Sequence, residues 1–346
     1  MDRFLPYTDT LGELLQKEAE NLLGLMQTIK VDEIGLSEHG LVYFKGSHFK
    51  RLFFSIQTSA HILYNSISLV KKEPKDVTIM DYGAGIGSLY ILAKMIGCKR
   101  VIYNDILEEW KQNALLIAKA INKDVDDYIV GNIDETLQII NNKAIVIDII
   151  TSRNVIEHIY KLDKFYTCIS NYQPKAIVYS STTANFNNPA MNIQHLLLHR
   201  RIEKVYYQQR IDFIQNNFPN IEKHSTHTLA VNTRGYEKSE LQQAVEKFIE
   251  HKTNPQKNYY YTNTCDITYG VWAENLLPFK VHKQMIESNG KLMCMIKPGF
   301  WDTHYHSAWK NLMGKFFNQL ICNVPFLSFL LAPFVYVIAL PNQQNK

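Results

Sequence analysis

The 346 residues predict an α/β fold built on a mainly parallel sheet with helices on both faces. Three observations lead there. Between residues 77 and 182, short apolar runs alternate with helix-length amphipathic stretches, the rhythm of strands joined by crossover helices. The first of those runs ends in a glycine-rich turn, Asp81-Tyr82-Gly83-Ala84-Gly85-Ile86-Gly87, that opens a helix. The rhythm stops over residues 183–269 and resumes over 270–340, so a helical insertion interrupts one sheet-based domain.

The elements follow in order. Leu11, Leu14, Leu15, Ala19, Leu22 and Leu23 fall at helical spacing within residues 10–30. A second helix is expected over 49–70, with Leu52, Phe53, Ile56, Ala60 and Leu63 on its apolar face. The polar, proline-bearing run Lys71–Asp76 then closes an N-terminal helical cap, residues 1–76. Strands are expected at 77–80, 101–103, 127–130, 144–150 and 175–180, with helices at 88–96, 108–122 and 155–170. The insertion carries helices at 193–217 and 239–251. A helix at 274–289, a strand at 291–298, a helix at 307–318 and a strand at 334–340 complete the alternation.

Composition bounds the function. Hydrophobic residues make up 46% of the chain and charged residues 20%, enough for a core and unlike a disordered chain. A net charge of +4 is too small to announce a nucleic-acid partner. Five scattered cysteines without a CxxC pair point to reduced thiols, and Met1–Pro6 lacks the basic start of a signal peptide, so a cytoplasmic location is expected. Leu320–Leu340 is uncharged and near membrane-spanning length, but Asn323, Pro325, Ser328 and Pro333 interrupt it. It reads as a loop followed by a buried strand, with peripheral membrane contact by Val324–Phe334 as the weaker alternative.

The glycine turn carries the chemistry. Glycines admit positive φ and let a ligand approach the backbone. The spacing is G-x-G-x-G, not the G-x-G-x-x-G of dinucleotide binders, and Asp81 stands two residues before the first glycine. A carboxylate there is awkward beside a phosphate and suits a ligand with an amino or sulfonium cation. Asp105 ends the second strand, where a carboxylate accepts hydrogen bonds from ribose hydroxyls, and Ile106 beside it is placed to pack on an adenine face. The third strand leads into Gly131-Asn132-Ile133-Asp134, where a polar side chain can meet an adenine amino group. Asn132 and Asp134 both stay open as that contact.

These segments, with Asp148 to Ile159 containing Arg153-Asn154-Val155-Ile156-Glu157-His158, resemble the class I S-adenosylmethionine-dependent methyltransferases of small-molecule type. The similarity is carried by the DYGAGIG loop (81–87), YNDI (103–106), GNID (131–134) and a VIEH segment, and covers residues 77–182 well. It implies a Rossmann-like seven-stranded methyltransferase sheet over 77–182 and 270–340, with the helical insertion 183–269 after the fifth strand as a substrate lid. It also implies S-adenosyl-L-methionine as cofactor and a small-molecule acceptor methylated at oxygen. The cofactor set is Asp81, Gly83, Ala84, Gly85, Gly87, Asp105, Ile106, Asn132, Ile133, Asp134, Arg153 and Asn154. The residues near Arg153 and Asn154 do not form the Asn/Asp-Pro-Pro-Tyr box of nucleobase methyltransferases. Methylation of RNA or protein, and a non-catalytic scaffold that binds the cofactor, stand as alternatives.

Methyl transfer from a sulfonium needs mainly proximity and orientation, and a hydroxyl acceptor also gains from a base. His158 is the candidate base; its other reading is a helix residue that pins the cofactor loop. His195 and His199 share a helix face at i, i+4, but no further ligand completes a metal set, so no metal is expected. Tyr206, Tyr207 and Tyr259–Tyr261 are candidates for an acceptor pocket, while Asp302–His306 lies just past a strand with no assigned place.

Overall fold

Five parallel strands form the heart of the sheet. In the computed structural model, which describes residues 3–342 without the side chains of 47 and 48, these are β1 (Thr78–Tyr82), β2 (Arg100–Asp105), β3 (Asp127–Val130), β4 (Ile149–Arg153) and β5 (Ile177–Thr182). All five residues of β1 are buried, as a strand covered on both faces requires. The helices α4 (Leu89–Met95), α5 (Glu108–Ala120), α6 (Ile133–Asn142) and α7 (Leu162–Tyr172) connect them. Strand order is β3-β2-β1-β4-β5-β9-β8, with β9 (Val335–Pro341) antiparallel to both β5 and β8 (Leu292–Pro298). The seven strands, mostly parallel and flanked by helices, form the Rossmann-like sheet that the sequence predicts. The chain winds outward from β1 to β3 and then returns to β4, so a crevice opens over the carboxyl ends of β1 and β4.

The N-terminal segment is helical and packs on the sheet. Asp9 caps α1 (Thr10–Thr28) by accepting from the Gly12 amide at 2.7 Å. Leu15, Ala19, Leu22 and Met26 form its buried stripe and share one core with Ile56, Ala60, Leu63 and Ile67 of α3 (Leu52–Val70) and with Leu89 and Leu92 of α4. Small residues let α3 approach the glycine turn: Ser59 Oγ lies 3.0 Å and Ser55 Oγ 3.3 Å from Ser88 Oγ. A short helix, α2 (Glu38–Tyr43), went unpredicted. It is held on α5 by Asn113, whose Oδ1 accepts the Ser37 amide at 2.9 Å and whose Nδ2 donates to Ser37 Oγ at 2.9 Å.

Residues 183–269 hold α8 (Pro189–Asn217), α9 (Lys223–Asn232), α10 (Lys238–His251) and the strand β6 (Cys265–Asp266), which pairs with β7 (Val271–Trp272) in a short hairpin. Ile211, Ile214, Leu229, Leu241, Val245 and Ile267 give these elements a cluster of their own. Arg210 is fully buried there, with Nε donating to Ala230 O at 2.8 Å and Nη2 to Glu203 Oε1 at 2.6 Å.

Several boundaries differ from expectation. The fourth strand begins at Ile149 and not at Ala144, because Ala144 takes a left-handed conformation (φ 53°) and Gln173 Oε1 caps the Ile147 amide at 3.0 Å. The helix expected from residue 155 starts at Leu162, since 155–160 is turned backbone tied to the hairpin. Pro278 delays α11 until Phe279–Glu287. The loop expected within Leu320–Pro333 is mostly helix: α12 (Ala308–Asn323) gives way to α13 (Pro325–Leu331), with Pro325 in its first turn. Phe326 and Leu330 of α13 are exposed, and among the described residues no helix is long and apolar enough to cross a membrane.

Asn104 locks the strand ends that carry the site. Its buried Nδ2 lies 3.2 Å from Ile129 O, 3.1 Å from Gly131 O and 2.8 Å from Thr136 Oγ1, while the Asn104 backbone carbonyl accepts the Ala84 amide at 2.9 Å. Truncation leaves buried acceptors without a donor, so Asn104→Ala should lower unfolding free energy by about 2–4 kcal/mol in urea titrations. A loss below about 0.5 kcal/mol would show that water replaces the amide.

Candidate active site

The turn after β1 is shaped by backbone demands that only glycine meets easily. Gly83 (φ +65°) and Gly85 (φ +53°) are left-handed. A Cβ at Gly83 would come within 2.7 Å of Val155 Cγ2, whereas one at Gly85 would meet nothing within 4 Å, so the turn is packed behind and open in front. Asp105 closes it from β2. Its Oδ2 accepts the Gly85 amide at 3.0 Å and its Oδ1 the Leu107 amide at 3.1 Å. Two bonds leave a carboxylate about half its acceptor capacity. Burial raises the Asp105 pKa, opposed by the amides of Leu107, Gly85 and Ile106.

Asp81 is more enclosed. Its Oδ1 accepts from Thr151 Oγ1 at 3.2 Å. Burial pushes its pKa up to about 7, against the pull of the Arg153 guanidinium and the Thr151 bond. Arg153, at the end of β4, donates from Nη1 to the Ser55 carbonyl (2.9 Å) and to Ser55 Oγ (2.5 Å), which ties the sheet to α3. Burial lowers the Arg153 pKa, while Tyr43 and Asp81 raise it and Arg51 opposes them. Asn154 follows in a left-handed conformation (φ 57°), its amide donating to Ser181 O at 2.8 Å.

Three cavities meet at Asn154. The first, lined by Asp81, Gly83, Ala84, Gly85, Gly87, Asp105 and Arg153, is the space in front of the glycine turn, about 200 Å³, roofed by Tyr43 and Trp110. Those two rings are in edge contact at 5.4 Å. The second, about 510 Å³, extends over the ends of β2 and β3 and is lined by Asp105, Ile106, Asn132, Ile133, Asp134 and His158. Ile106 is 49% exposed at the edge of this cavity. The third, about 680 Å³, lies between α3, the ends of β4 and β5, and residues 305–306. Every residue of the expected cofactor set therefore lines the first or second cavity.

The two candidates for the adenine contact have different engagements. Asn132 caps α6, its Oδ1 accepting the Glu135 amide at 3.1 Å while Glu135 Oε2 accepts the Asn132 amide at 2.9 Å. Asp134 pairs with Lys164 at 2.7 Å and accepts from Cys168 Sγ at 3.0 Å, and those bonds hold its pKa below the ordinary value.

His158 lines the second cavity and not the third. Its Nδ1 lies 3.1 Å from Trp272 O, so Nδ1 donates and Nε2 is the acceptor. The whole segment is zipped to the hairpin: the Trp272 amide donates to His158 O at 3.0 Å, the Asn275 amide to Glu157 O at 2.7 Å, and Trp272 Nε1 to Tyr160 O at 3.2 Å.

The insertion enters differently from expectation. None of Tyr206, Tyr207 and Tyr259–Tyr261 lines the three cavities. Tyr207 is instead 2.7 Å from His227 Nδ1, and Tyr259 lies under Arg234. Glu237 and Tyr269 reach the second cavity, beside Gly270 and Val271 of the hairpin. His195 and His199 are buried polar groups: His195 Nδ1 pairs with Glu274 at 2.8 Å, and His199 bridges Thr262 Oγ1 (2.9 Å) and Glu274 O (2.8 Å). The third cavity belongs mainly to the N-terminal helices, through Tyr43, Lys50, Arg51, Phe54, Ser55 and Thr58, and to Tyr305 and His306. Sequence reasoning misses these because they are far apart in the chain; Asp302–His306, which could face the pocket but has no place assigned from the sequence, contributes Tyr305 and His306 to this wall.

No protein-family pattern and no curated protein matches the chain. Among solved structures it is similar to the plantazolicin methyltransferase BpumL, in complex with a triazolic desmethylPZN analog and SAH, at 12% identity and TM-score 0.41 over 97% of this chain and 100% of that one. It is also similar to MtNAS in complex with MTA and tNA, at 13% identity and TM-score 0.31 over 49% of this chain and 54% of that one, so it spans about half the MtNAS length. A ribosomal protein L11 methylase from Lactobacillus delbrueckii subsp. bulgaricus matches at 21% identity and TM-score 0.28, over 36% of this chain and 60% of that one. Similarity this distant carries no argument about the site, which is read from its own residues.

A raised acid costs stability once ionised. The unfolded chain releases the Asp81 proton near its ordinary 3.8, whereas the folded protein holds it to about 7. Stability should therefore fall with rising pH across that window, and chemical denaturation of Asp81→Asn should show a shallower fall. Equal slopes in the two proteins would exclude Asp81 as the source.

Proposed function

We propose that this chain is an S-adenosyl-L-methionine-dependent methyltransferase acting on a small molecule at oxygen. The convergence of three cavities on Asn154 carries this reading, because transfer requires donor and acceptor spaces to share a boundary. When bound, the cofactor supplies an activated methyl group on a sulfonium.

The residues fit that ligand. Asp105 keeps acceptor capacity for two ribose hydroxyls, and exposed Ile106 offers an apolar face to adenine. Asn132, Ile133 and Asp134 surround the far end of the same cavity. Gly83, Ala84, Gly85 and Gly87 leave the turn open for the amino-acid end. Asp81 faces its cation, and a positive group there draws the carboxylate back toward its charged form. Arg153 and Asn154 stand between that end and the acceptor space. Residues 183–269 act as the lid, entering through Tyr269.

Because His158 lines the cofactor cavity and not the acceptor space, it acts as the residue that pins the cofactor segment, with Trp272 O fixing its tautomer. His158→Ala should weaken S-adenosylhomocysteine binding about 10-fold while kcat at saturating cofactor changes little. A kcat lowered about 100-fold with S-adenosylhomocysteine affinity intact would instead make it the base that takes the acceptor proton.

Calorimetry with S-adenosylhomocysteine tests the whole reading. Binding should be measurable in the wild-type chain and about 100-fold weaker in Asp105→Ala, which removes two charge-assisted bonds. No binding to the wild-type chain at millimolar ligand would overturn it.

A further inference from the structure

The third cavity has a chemical bias of its own. Lys50, Arg51, Arg153 and His306 line it, and among the described residues lining it none is acidic. The second cavity differs, with Asp105, Asp134 and Glu237 set against Lys161 and Lys164.

The carboxylates that balance these cations do not line the third cavity. Asp302, 3% exposed in its side chain, holds Arg51 Nε at 3.2 Å and also accepts the His304 amide at 2.9 Å. Asp81, which Arg153 pulls toward its charged form, lines only the space in front of the glycine turn. Arg51 and Arg153 also repel each other, as the opposing effect of Arg51 on Arg153 records. A second anion near them relieves that repulsion, whereas an ammonium ligand adds to it.

The rest of the wall sets four aromatic rings, Tyr43, Phe54, Tyr305 and Phe334, among the small polar groups of Ser55, Thr58, Asn154, Ser181 and Thr183. The Arg51 guanidinium lies 4.6 Å from the centroid of Phe54 and 5.8 Å from that of Tyr305, within reach of cation–π attraction to both rings. A forked donor beside aromatic faces matches a carboxylate attached to a planar body.

We infer that the third cavity selects an acceptor with a planar aromatic or conjugated body and a carboxylate, which Arg51 and Lys50 bind. This deepens the proposed methyl transfer and rests on it for the word acceptor. Binding itself can be measured without turnover.

A matched pair of probes separates charge from shape. 2-Naphthoate and 2-naphthamide share one ring system and differ in charge. Calorimetry on the full chain, with and without S-adenosylhomocysteine, should show naphthoate binding about 10-fold or more tighter than the amide. Arg51→Gln should abolish most of that preference. Lys50→Gln, at an exposed position, should reduce it without threatening the fold. Equal affinities, tighter binding of the amide, no binding of either probe at millimolar concentration, or a preference that survives both substitutions together would overturn the assignment. Naphthoate selectivity without S-adenosylhomocysteine binding would sink the methyltransferase reading and leave the anion site standing; the reverse result would do the opposite.

Discussion

The geometry of the site turns on one guanidinium. Arg153 ends β4, grips the Ser55 backbone of α3 and faces Asp81. A charge in such surroundings is costly unless its neighbours compensate it. Here the compensation comes from both sides of the crevice: a carboxylate of the sheet and a carbonyl of the N-terminal helices. The two parts are thereby held in one register. The cap is then not an appendage to a finished site. It supplies one wall of the third cavity, and it roofs the glycine turn through Tyr43.

The legible parts of the sequence were those whose requirements are local. A turn needing left-handed backbone at Gly83 and Gly85 writes glycines into adjacent positions. Strands buried on both faces write apolar runs, and Asp105 closes its strand. What stayed hidden depended on distant segments. Tyr43, Arg51 and Tyr305 meet only because α2 docks on α5 and α3 lies over the sheet. Tyr269 reaches the cavity only because its hairpin pairs with the chain after β4, where Ile159 bridges Val271. The error at Pro325 has a different origin. Proline ends a helix from within but fits the first turn of a new one, so α12 and α13 abut where a loop was expected.

That hairpin also accounts for the odd backbone after β4. Residues 155–160 carry a helix-like pattern yet are turned, because their carbonyls are drawn sideways by the amides of Trp272 and Asn275. Tertiary hydrogen bonds have overridden local propensity, and His158 is aimed by them. The insertion therefore orients a side chain of the sheet-based part while packing around a core of its own.

The position of β9 has a consequence for how the molecule is made. β8 finds its neighbour in the sheet only in β9, and β9 lies between it and β5. Until residues 335–341 have been synthesised, β8 has nothing to pair with and the open side of β5 is a bare row of backbone donors and acceptors. The sheet closes by inserting its last-made strand into a gap, a step of high contact order. A nascent chain paused before that point carries two exposed strand edges, and this is where a chaperone or a misfolding partner would find purchase.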